Sequence, residues 1–109
     1  MEIGIVGQGY VGTAVKVAFE KYYKTNTFDL NGKCTCKTIN DLVNSSNVIF
    51  ICVPTPMKKD GTCDISIVET VVKDIDIIAD NSDTIVAIKS TIPPGTTEKL
   101  NERCENITI

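Results

Sequence analysis

Hydrophobic and polar positions follow two different periods along the chain. Short apolar runs rich in β-branched residues indicate strands at residues 2–6, 48–53 and 84–88. Between these runs, apolar residues recur every third or fourth position, which predicts one helix over residues 10–22 and another that begins at residue 64 or 66. The pattern therefore predicts strands that alternate with helices.

Weaker segments complete this alternation. Residues 25–29 are predicted to form a second strand, and residues 106–109 open a fifth. Thr38 is a suitable N-cap for a short helix that stops in the Asn and Ser residues at 44–47, and another short helix is predicted at 96–104. Such an alternation requires right-handed crossovers and a parallel sheet. We therefore expect a Rossmann-type doubly wound α/β fold, with about five strands in the order 3-2-1-4-5 and helices on both faces.

The helical periodicity also predicts which side chains form the core. In the first helix the apolar stripe consists of Val11, Ala14, Val15, Ala18, Phe19 and Tyr22. In the helix after residue 64 it consists of Ile65, Val68, Val71, Val72, Ile75, Ile78 and Ala79. We expect both stripes to be buried, and we interpret the first as core and not as a binding site.

A glycine-rich turn joins the first strand to the first helix. It reads Gly7-Gln8-Gly9-Tyr10-Val11-Gly12. In a turn of this type the first glycine bends the chain, the second lets the backbone approach a pyrophosphate, and the third lets the helix pack close to the strand. Asp29 supplies the acidic residue expected about 20 positions later to bind a ribose. The alternative is a strand-to-helix turn that binds nothing.

Three polar loops follow predicted strands, at residues 7–12, 54–63 and 89–95. Because the carboxyl ends of parallel strands meet at one edge of the sheet, we expect these loops to converge on one crevice. Thr55 and Thr91 place hydroxyl groups there, beside prolines that stiffen each loop. The alternative for each threonine is that it only satisfies its own turn.

Composition and charge exclude several other classes of protein. The 109 residues make about one domain, and a content of 42% hydrophobic and 23% charged residues is typical of a globular protein. A net charge of −3 gives no electrostatic footprint for a nucleic acid or an anionic membrane. There is no apolar run of roughly 20 residues and no signal-peptide pattern, so we expect a cytoplasmic protein.

The five cysteines are an odd number in a chain without a secretory signal, so free thiols are expected. Cys52 lies in an apolar strand and Cys104 in a helix, where a cysteine acts as a small hydrophobic residue. The segment Cys34-Thr35-Cys36 does not have zinc-site spacing, and the sequence contains no histidine. No metal site is predicted.

Three segments together resemble the NAD-binding domain of the UDP-glucose/GDP-mannose 6-dehydrogenase family. The first is the glycine turn, which many dehydrogenases share. The second is Cys52-Val53-Pro54-Thr55-Pro56, with Asp60-Gly61 and Asp64-Ile65-Ser66 behind it, and the third is Lys89-Ser90-Thr91-Ile92-Pro93-Pro94-Gly95-Thr96-Thr97. The second and third together are specific, and the resemblance extends over nearly the whole chain.

The resemblance implies an intact enzyme that oxidises the C6 alcohol of a nucleotide sugar to a carboxylate, reducing two NAD and passing through a thioester on a cysteine. It assigns Gly7, Gly9 and Gly12 to the pyrophosphate turn, Tyr10 and Val11 to the start of the helix beneath it, and Asp29 to the ribose. It implies that Thr55 lies against the cofactor. Thr91 would lie near the nicotinamide and help to order a water molecule in the active site.

The chain departs from the family in two respects. The family's nucleophilic cysteine and its accompanying lysine, asparagine and second glutamate belong to later segments that this sequence does not contain, and neither Cys52 nor Cys63 stands in the family's cysteine motif. The stretch between Asp29 and Thr38 is also much shorter than usual in the family. We expect residues 1–109 to be the dinucleotide-binding domain of a longer dehydrogenase, inactive without the central and substrate domains.

The expected ligands are NAD and, in the intact enzyme, a nucleotide sugar. NAD is expected over NADP because the Asp29 carboxylate would repel a 2′-phosphate, although Lys33 is a nearby cation. The resemblance implies a homo-oligomeric intact enzyme, and the sequence leaves open whether the isolated domain is a monomer.

Two other functions are alternatives to the domain of a nucleotide-sugar dehydrogenase. One is a stand-alone NAD-sensing module, and the other is the cofactor domain of a β-hydroxyacid-type dehydrogenase. The segment Lys89-Ser90-Thr91 argues against the second.

Overall fold

The computed structural model describes residues 1–29, 34–79 and 83–109. Within these residues, strands and helices alternate along the chain. They are β1 (Glu2–Val6), α1 (Tyr10–Phe19), β2 (Lys24–Phe28), α2 (Ile39–Ser45), β3 (Val48–Ile51), α3 (Ser66–Ile78), β4 (Thr84–Ile88), α4 (Thr96–Arg103) and β5 (Ile107–Thr108). Each predicted element is present, but α1 and β3 end earlier than the periodicity predicts. No helix in this described part of the chain combines the length and the apolar character that crossing a membrane requires.

The strands form one parallel sheet in the order β2-β1-β3-β4-β5. The doubly wound class is confirmed, but the predicted order 3-2-1-4-5 is wrong, because β3 pairs with β1 and not on the far side of β2. Burial explains the difference. Ile49 and Ile51 of β3 are fully buried, as is typical of a central strand, whereas β2 carries the exposed Lys24 and suits the edge of the sheet.

The two faces of the sheet are covered unequally. The crossover from β1 to β2 runs in one direction across the sheet and the other three run in the opposite direction, so right-handed crossovers place α1 on one face and α2, α3 and α4 on the other. Two neighbouring residues of β4 show this difference in coverage. Val86, on the face covered by three helices, is 2% exposed, whereas Ile85, on the α1 face, is 51% exposed.

The apolar stripe predicted for α3 lies in the larger core, as expected. Its buried members are Val68, Val72, Ile75 and Ala79, and its half-buried members are Ile65, Val71 and Ile78. Leu42 of α2 and Leu100 of α4 pack in the same cluster.

The stripe predicted as core in α1 is mostly exposed, which corrects that prediction. Val15 and Phe19 are half-buried, and the Phe19 ring stacks on Phe50 with 5.3 Å between centroids. The exposed members are Val11, Ala14, Ala18 and Tyr22. The physical reason is the unequal coverage of the sheet, because among the described elements α1 has no helix beside it. One edge of the stripe therefore contacts the sheet, while Val11, Ala14 and Ala18 line a shallow groove.

Side-chain hydrogen bonds are present at both ends of α2. The Thr38 Oγ1 accepts the Asp41 amide at 3.2 Å, which confirms the predicted N-cap. At the other end, the Ser45 hydroxyl donates to the carbonyl oxygens of Asp41 and Leu42, at 2.6 and 3.3 Å. The helix ends at the next residue, Ser46, whose backbone is extended and whose amide donates to the carbonyl oxygen of Val43.

Candidate functional site

The predicted loops open into one cleft of about 1030 Å³ at the carboxyl edge of the sheet. Its wall contains Gly7, Gly9, Tyr10, Val11, Asp29, Thr55 and Thr91. Gly12, the remaining predicted site residue, is buried in the first turn of α1. The structure therefore brings the predicted residues together at one place, in the arrangement expected for a doubly wound sheet.

The first and third glycines of the turn are required by close contacts. Gly7 has φ +97°, and a Cβ there would lie 2.6 Å from the carbonyl oxygen of Cys52. A Cβ on Gly12 would collide with the carbonyl oxygen of Gly7. The Gly7 amide also donates to the carbonyl oxygen of Phe28 at 2.8 Å, which ties the turn to the end of β2. These contacts fix the path of the backbone from β1 into α1.

The second glycine leaves an opening. No atom lies within 4 Å of the position that a Cβ on Gly9 would take. Gly9 is also the N-cap of α1, and no side chain there hydrogen-bonds to the first turn of the helix. Backbone amides at a helix N-terminus attract anions. A pyrophosphate fits this position, because the backbone can be approached without obstruction by a side chain.

Asp29 holds the turn from the side of β2. Its Oδ2 accepts the Gln8 amide at 2.5 Å, and the Thr13 hydroxyl donates to the Gln8 carbonyl oxygen at 3.2 Å. The carboxylate thus lies on the cleft wall at the end of a strand, where ribose hydroxyls are bound in such folds. Lys33, considered above as a nearby cation, lies outside the described residues.

A small hairpin follows Thr55 in the loop after β3. Met57 and Cys63 form an antiparallel bridge, and Asp60 Oδ1 accepts the Thr62 hydroxyl at 2.6 Å and the Thr62 amide at 3.0 Å. These hydrogen bonds lower the pKa of the Asp60 carboxyl, because they favour its charged form. The polar loop is therefore an ordered turn closed by its own side chains.

Cys52 lies on the cleft wall and is largely buried. Burial raises the pKa of its thiol to about 11, although the nearby Lys89 ammonium lowers it in part. A thiol with this pKa is almost wholly protonated at neutral pH, and the thiolate is the nucleophilic form. The structure therefore gives no reason to assign the family's nucleophile to Cys52.

One wall of the cleft was missed by the sequence interpretation. It consists of Ile39 in α2 and of Ser66, Ile67, Thr70, Val71 and Asp74 in α3. The signal was available, because Ile67, Val71 and Asp74 are spaced for a second stripe beside the buried one. Periodicity identifies such a stripe but does not say that it faces a ligand.

Comparisons with known proteins agree with this geometry. A family model described as the UDP-glucose/GDP-mannose dehydrogenase family, NAD binding domain, matches residues 20–108. A UDP-N-acetyl-D-mannosamine dehydrogenase of Pyrococcus horikoshii is 30% identical over 139 aligned positions, which cover 99% of this chain and 32% of the relative. The chain spans at most about a third of the length of the curated relatives it matches.

Two solved dehydrogenase structures have a similar fold. The GDP-mannose dehydrogenase of Pseudomonas aeruginosa, solved as a ternary complex, has a TM-score of 0.80 and 27% identity, over 92% of this chain and 30% of that one. A UDP-glucose dehydrogenase from Pyrobaculum islandicum shares the fold, with a TM-score of 0.83 and 24% identity over 94% and 31% of the two chains. The chain belongs to the UDP-glucose/GDP-mannose dehydrogenase family and corresponds to its NAD-binding domain.

Proposed function

We propose that this chain is the cofactor domain of a nucleotide-sugar 6-dehydrogenase, and that it binds NAD across the cleft at the carboxyl edge of its sheet. The opening above Gly9 carries the proposal. Gly9 follows β1, which lies in the sheet between β2, which leads to Asp29, and the pair β3 and β4, which lead to Thr55 and Thr91. A dinucleotide is long enough to contact the Asp29 side and the threonine side of the cleft at the same time. In the intact enzyme, NAD would accept hydride from the C6 alcohol of the sugar.

Each part of the cofactor has a matching surface in the cleft. The backbone at Gly9 and the N-terminus of α1 would hold the pyrophosphate, and Asp29 would accept hydrogen bonds from the adenosine ribose. On the same cleft wall, Ile39, Ile67 and Val71 offer an apolar surface, to which we assign the adenine ring. The adenosine half therefore lies on the side of α2 and α3.

The nicotinamide half would lie at the loops after β3 and β4. Thr55 is half-buried and Thr91 is exposed on the cleft wall, so both hydroxyl groups can reach a bound molecule. We assign Thr55 to contact with the cofactor. We assign Thr91 to the nicotinamide and to the ordering of a water molecule near the reacting carbon.

Other parts of the proposal concern the whole enzyme. The relatives named above act on UDP-sugars or GDP-mannose, which supports a nucleotide sugar as the substrate class. Substrate binding and the thioester step would come from segments outside these 109 residues, within a homo-oligomer. All five cysteines are unpaired, which suits the reducing cytoplasm.

Gly9→Ser tests the proposed binding mode in the 109-residue chain. Serine is a favoured N-cap, so its hydroxyl would cap α1 while its side chain fills the opening meant for the pyrophosphate. We expect NAD affinity, measured by isothermal titration calorimetry, to fall by about tenfold or more. The thermal unfolding midpoint should stay the same or rise.

Ala18→Ser is the matched control, because it adds the same hydroxyl on the exposed face of α1, away from the cleft wall. It should leave NAD affinity unchanged. Unaltered NAD binding by the Gly9→Ser chain would contradict the proposed position of the pyrophosphate, and absence of NAD binding by the unmodified chain would contradict the proposed function.

A further inference from the structure

The loops after β3 and β4 are joined by a side-chain hydrogen bond. The Ser90 hydroxyl donates to the carbonyl oxygen of Val53 at 2.7 Å and makes a longer contact of 3.4 Å with that of Ile51. The backbone amides of Lys89 and Ser90 donate to the same Ile51 oxygen, at 2.8 and 3.2 Å. The two loops therefore leave the sheet as one hydrogen-bonded unit.

The short bond from Ser90 lies beyond the regular pairing of the strands. The β3–β4 ladder ends at Ile51, whereas Val53 is already part of the segment that leads into the loop. Val53 is buried and is followed by Pro54, whose ring fixes φ and removes an amide donor. The Ser90 hydroxyl thus supplies the partly buried Val53 carbonyl with a donor at the point where the ladder has stopped.

This bond lies next to both threonines of the cleft. Thr55 comes two residues after Val53, with the rigid Pro54 between them, and Thr91 directly follows Ser90. A change in the distance between Ser90 and Val53 would therefore change the distance between the two threonine hydroxyls. We propose that Ser90 is a positioning residue, whose hydroxyl sets the spacing of Thr55 and Thr91 for the nicotinamide half of the cofactor.

The opposite half of the cleft is fixed by other bonds. The Gly7 amide donates to Phe28, and the Gln8 amide donates to Asp29, so the glycine turn is tied to the end of β2 without Ser90. Loss of the Ser90 hydroxyl should therefore disturb one end of the cleft selectively. The inference rests on the proposed function, because it takes the threonine end of the cleft as the nicotinamide end.

ADP-ribose separates a local from a global effect, since it carries the adenosine, the pyrophosphate and the second ribose of NAD but no nicotinamide. The test measures the affinity of the 109-residue chain for NAD and for ADP-ribose before and after Ser90→Ala. We expect NAD affinity to fall roughly three- to tenfold, the usual worth of one hydrogen bond in an equilibrium constant. ADP-ribose affinity should change less than about twofold.

Three further variants complete the design. Ser90→Thr keeps the hydroxyl and should restore the affinity for NAD. Ser90→Cys keeps the volume but offers a weak donor, so it should show the same selective loss even where Ser90→Ala folds poorly. Ser45→Ala is the matched control, because Ser45 also donates to two carbonyl oxygens but lies in α2, away from the cleft wall, and it should alter neither affinity.

The outcomes are distinct. Selective loss of NAD affinity in Ser90→Ala and Ser90→Cys supports the inference. Equal loss for both ligands, or loss for neither, overturns it while leaving the proposed function in place. If the unmodified chain binds neither ligand, the proposed function itself fails, and the inference fails with it.

Discussion

Asp29 lies where β2 ends, and its carboxylate is held there by the amide of Gln8 at 2.5 Å. Because this bond comes from the glycine turn itself, the negative charge is fixed beside the proposed path of the dinucleotide. A ribose diol can donate hydrogen bonds to such a carboxylate. The 2′-phosphate of NADP would instead place a second anion against it, in a cleft with reduced access to water.

We therefore expect the chain to bind NAD more tightly than NADP, and Asp29→Asn to reduce the preference. A hydrogen bond to a charged acceptor contributes about 1.5–3 kcal/mol, so the substitution should lower NAD affinity by about tenfold or more. NADP affinity should stay the same or rise, because the repelling charge is removed. The asparagine oxygen can still accept the Gln8 amide, which preserves the turn. The measurement is a titration with both dinucleotides at one ionic strength.

Glu98→Gln is the control for this comparison, since it removes one negative charge from an exposed position on α4. It should leave the ratio of the two affinities unchanged. Equal affinity of the unmodified chain for NAD and NADP would contradict the role given to Asp29, as would an unchanged preference in Asp29→Asn.

Cys52 gives a prediction about pH. The folded chain raises the pKa of this thiol from 9.0 to about 11, so folding favours the neutral form. The stabilisation that folding gains from the neutral thiol is present in full below the pKa of Cys52 in the unfolded chain, near 9. It is lost as the pH rises toward the pKa in the folded chain, about 11. Urea unfolding at about pH 8 and about pH 10.5 should show a smaller loss of stability in Cys52→Val than in the unmodified chain. The same loss in both would contradict the assignment.

Among the elements, α1 illustrates how a helix can be apolar without being buried. Its Phe19 stacks on Phe50, while Val17 is 52% exposed and other members of its apolar face line a shallow groove. The helix is therefore fixed to the sheet along one edge. Its stability depends on a few contacts and not on the whole stripe.

Phe19→Ala should consequently lower the free energy of unfolding by about 1–3 kcal/mol, less than for a fully buried phenylalanine because the ring is half-buried. Val17→Ala is the matched control on the same helix and should change it by no more than about 0.5 kcal/mol. Both values come from urea unfolding. Equal effects of the two substitutions would show that α1 is not anchored through Phe19.

For the molecule as a whole, local signals predicted more than long-range ones. The Thr38 cap, the ends of β1 and β4 and the convergence of the three loops follow from patterns within short segments and from the geometry of parallel sheets. The strand order was wrong because nothing local to residues 48–51 says which earlier strand they pair with. The prediction that the apolar stripe of α1 is buried was wrong, because burial depends on which elements lie beside that helix in space.

In the candidate site too, local signals predicted more than long-range ones. The position of the glycine turn, Asp29 and the two threonines at the cleft could be predicted, since each belongs to a motif at the end of a strand, and their roles in binding stay predictions. The stripe that contains Ile67 and Asp74 is visible in the sequence, but its position on the cleft wall depends on how α3 packs beside α2. Ser90 lay within a motif, but its hydrogen bond to Val53 requires the two loops to be side by side in space.

We expect the 109-residue chain to bind NAD without oxidising a nucleotide sugar. Hydride transfer requires the alcohol and the cofactor to be held in register, and a thioester requires an activated thiolate, whereas Cys52 on the cleft wall stays protonated. Incubation with NAD and either UDP-glucose or GDP-mannose should give no NADH and no uronic acid. A full-length family dehydrogenase serves as the positive control, and NAD-dependent uronic acid from this chain would refute the prediction.

The unequal coverage of the sheet has a calorimetric consequence. A side chain such as Ile85, which remains half in contact with water after folding, contributes little to the change in apolar hydration when the chain unfolds. The heat-capacity increment of unfolding should therefore fall below the roughly 12–15 cal/mol/K per residue that is typical of globular proteins. A smaller increment flattens the curve of stability against temperature, so this domain would lose its fold gradually on heating and would resist cold better than its size suggests.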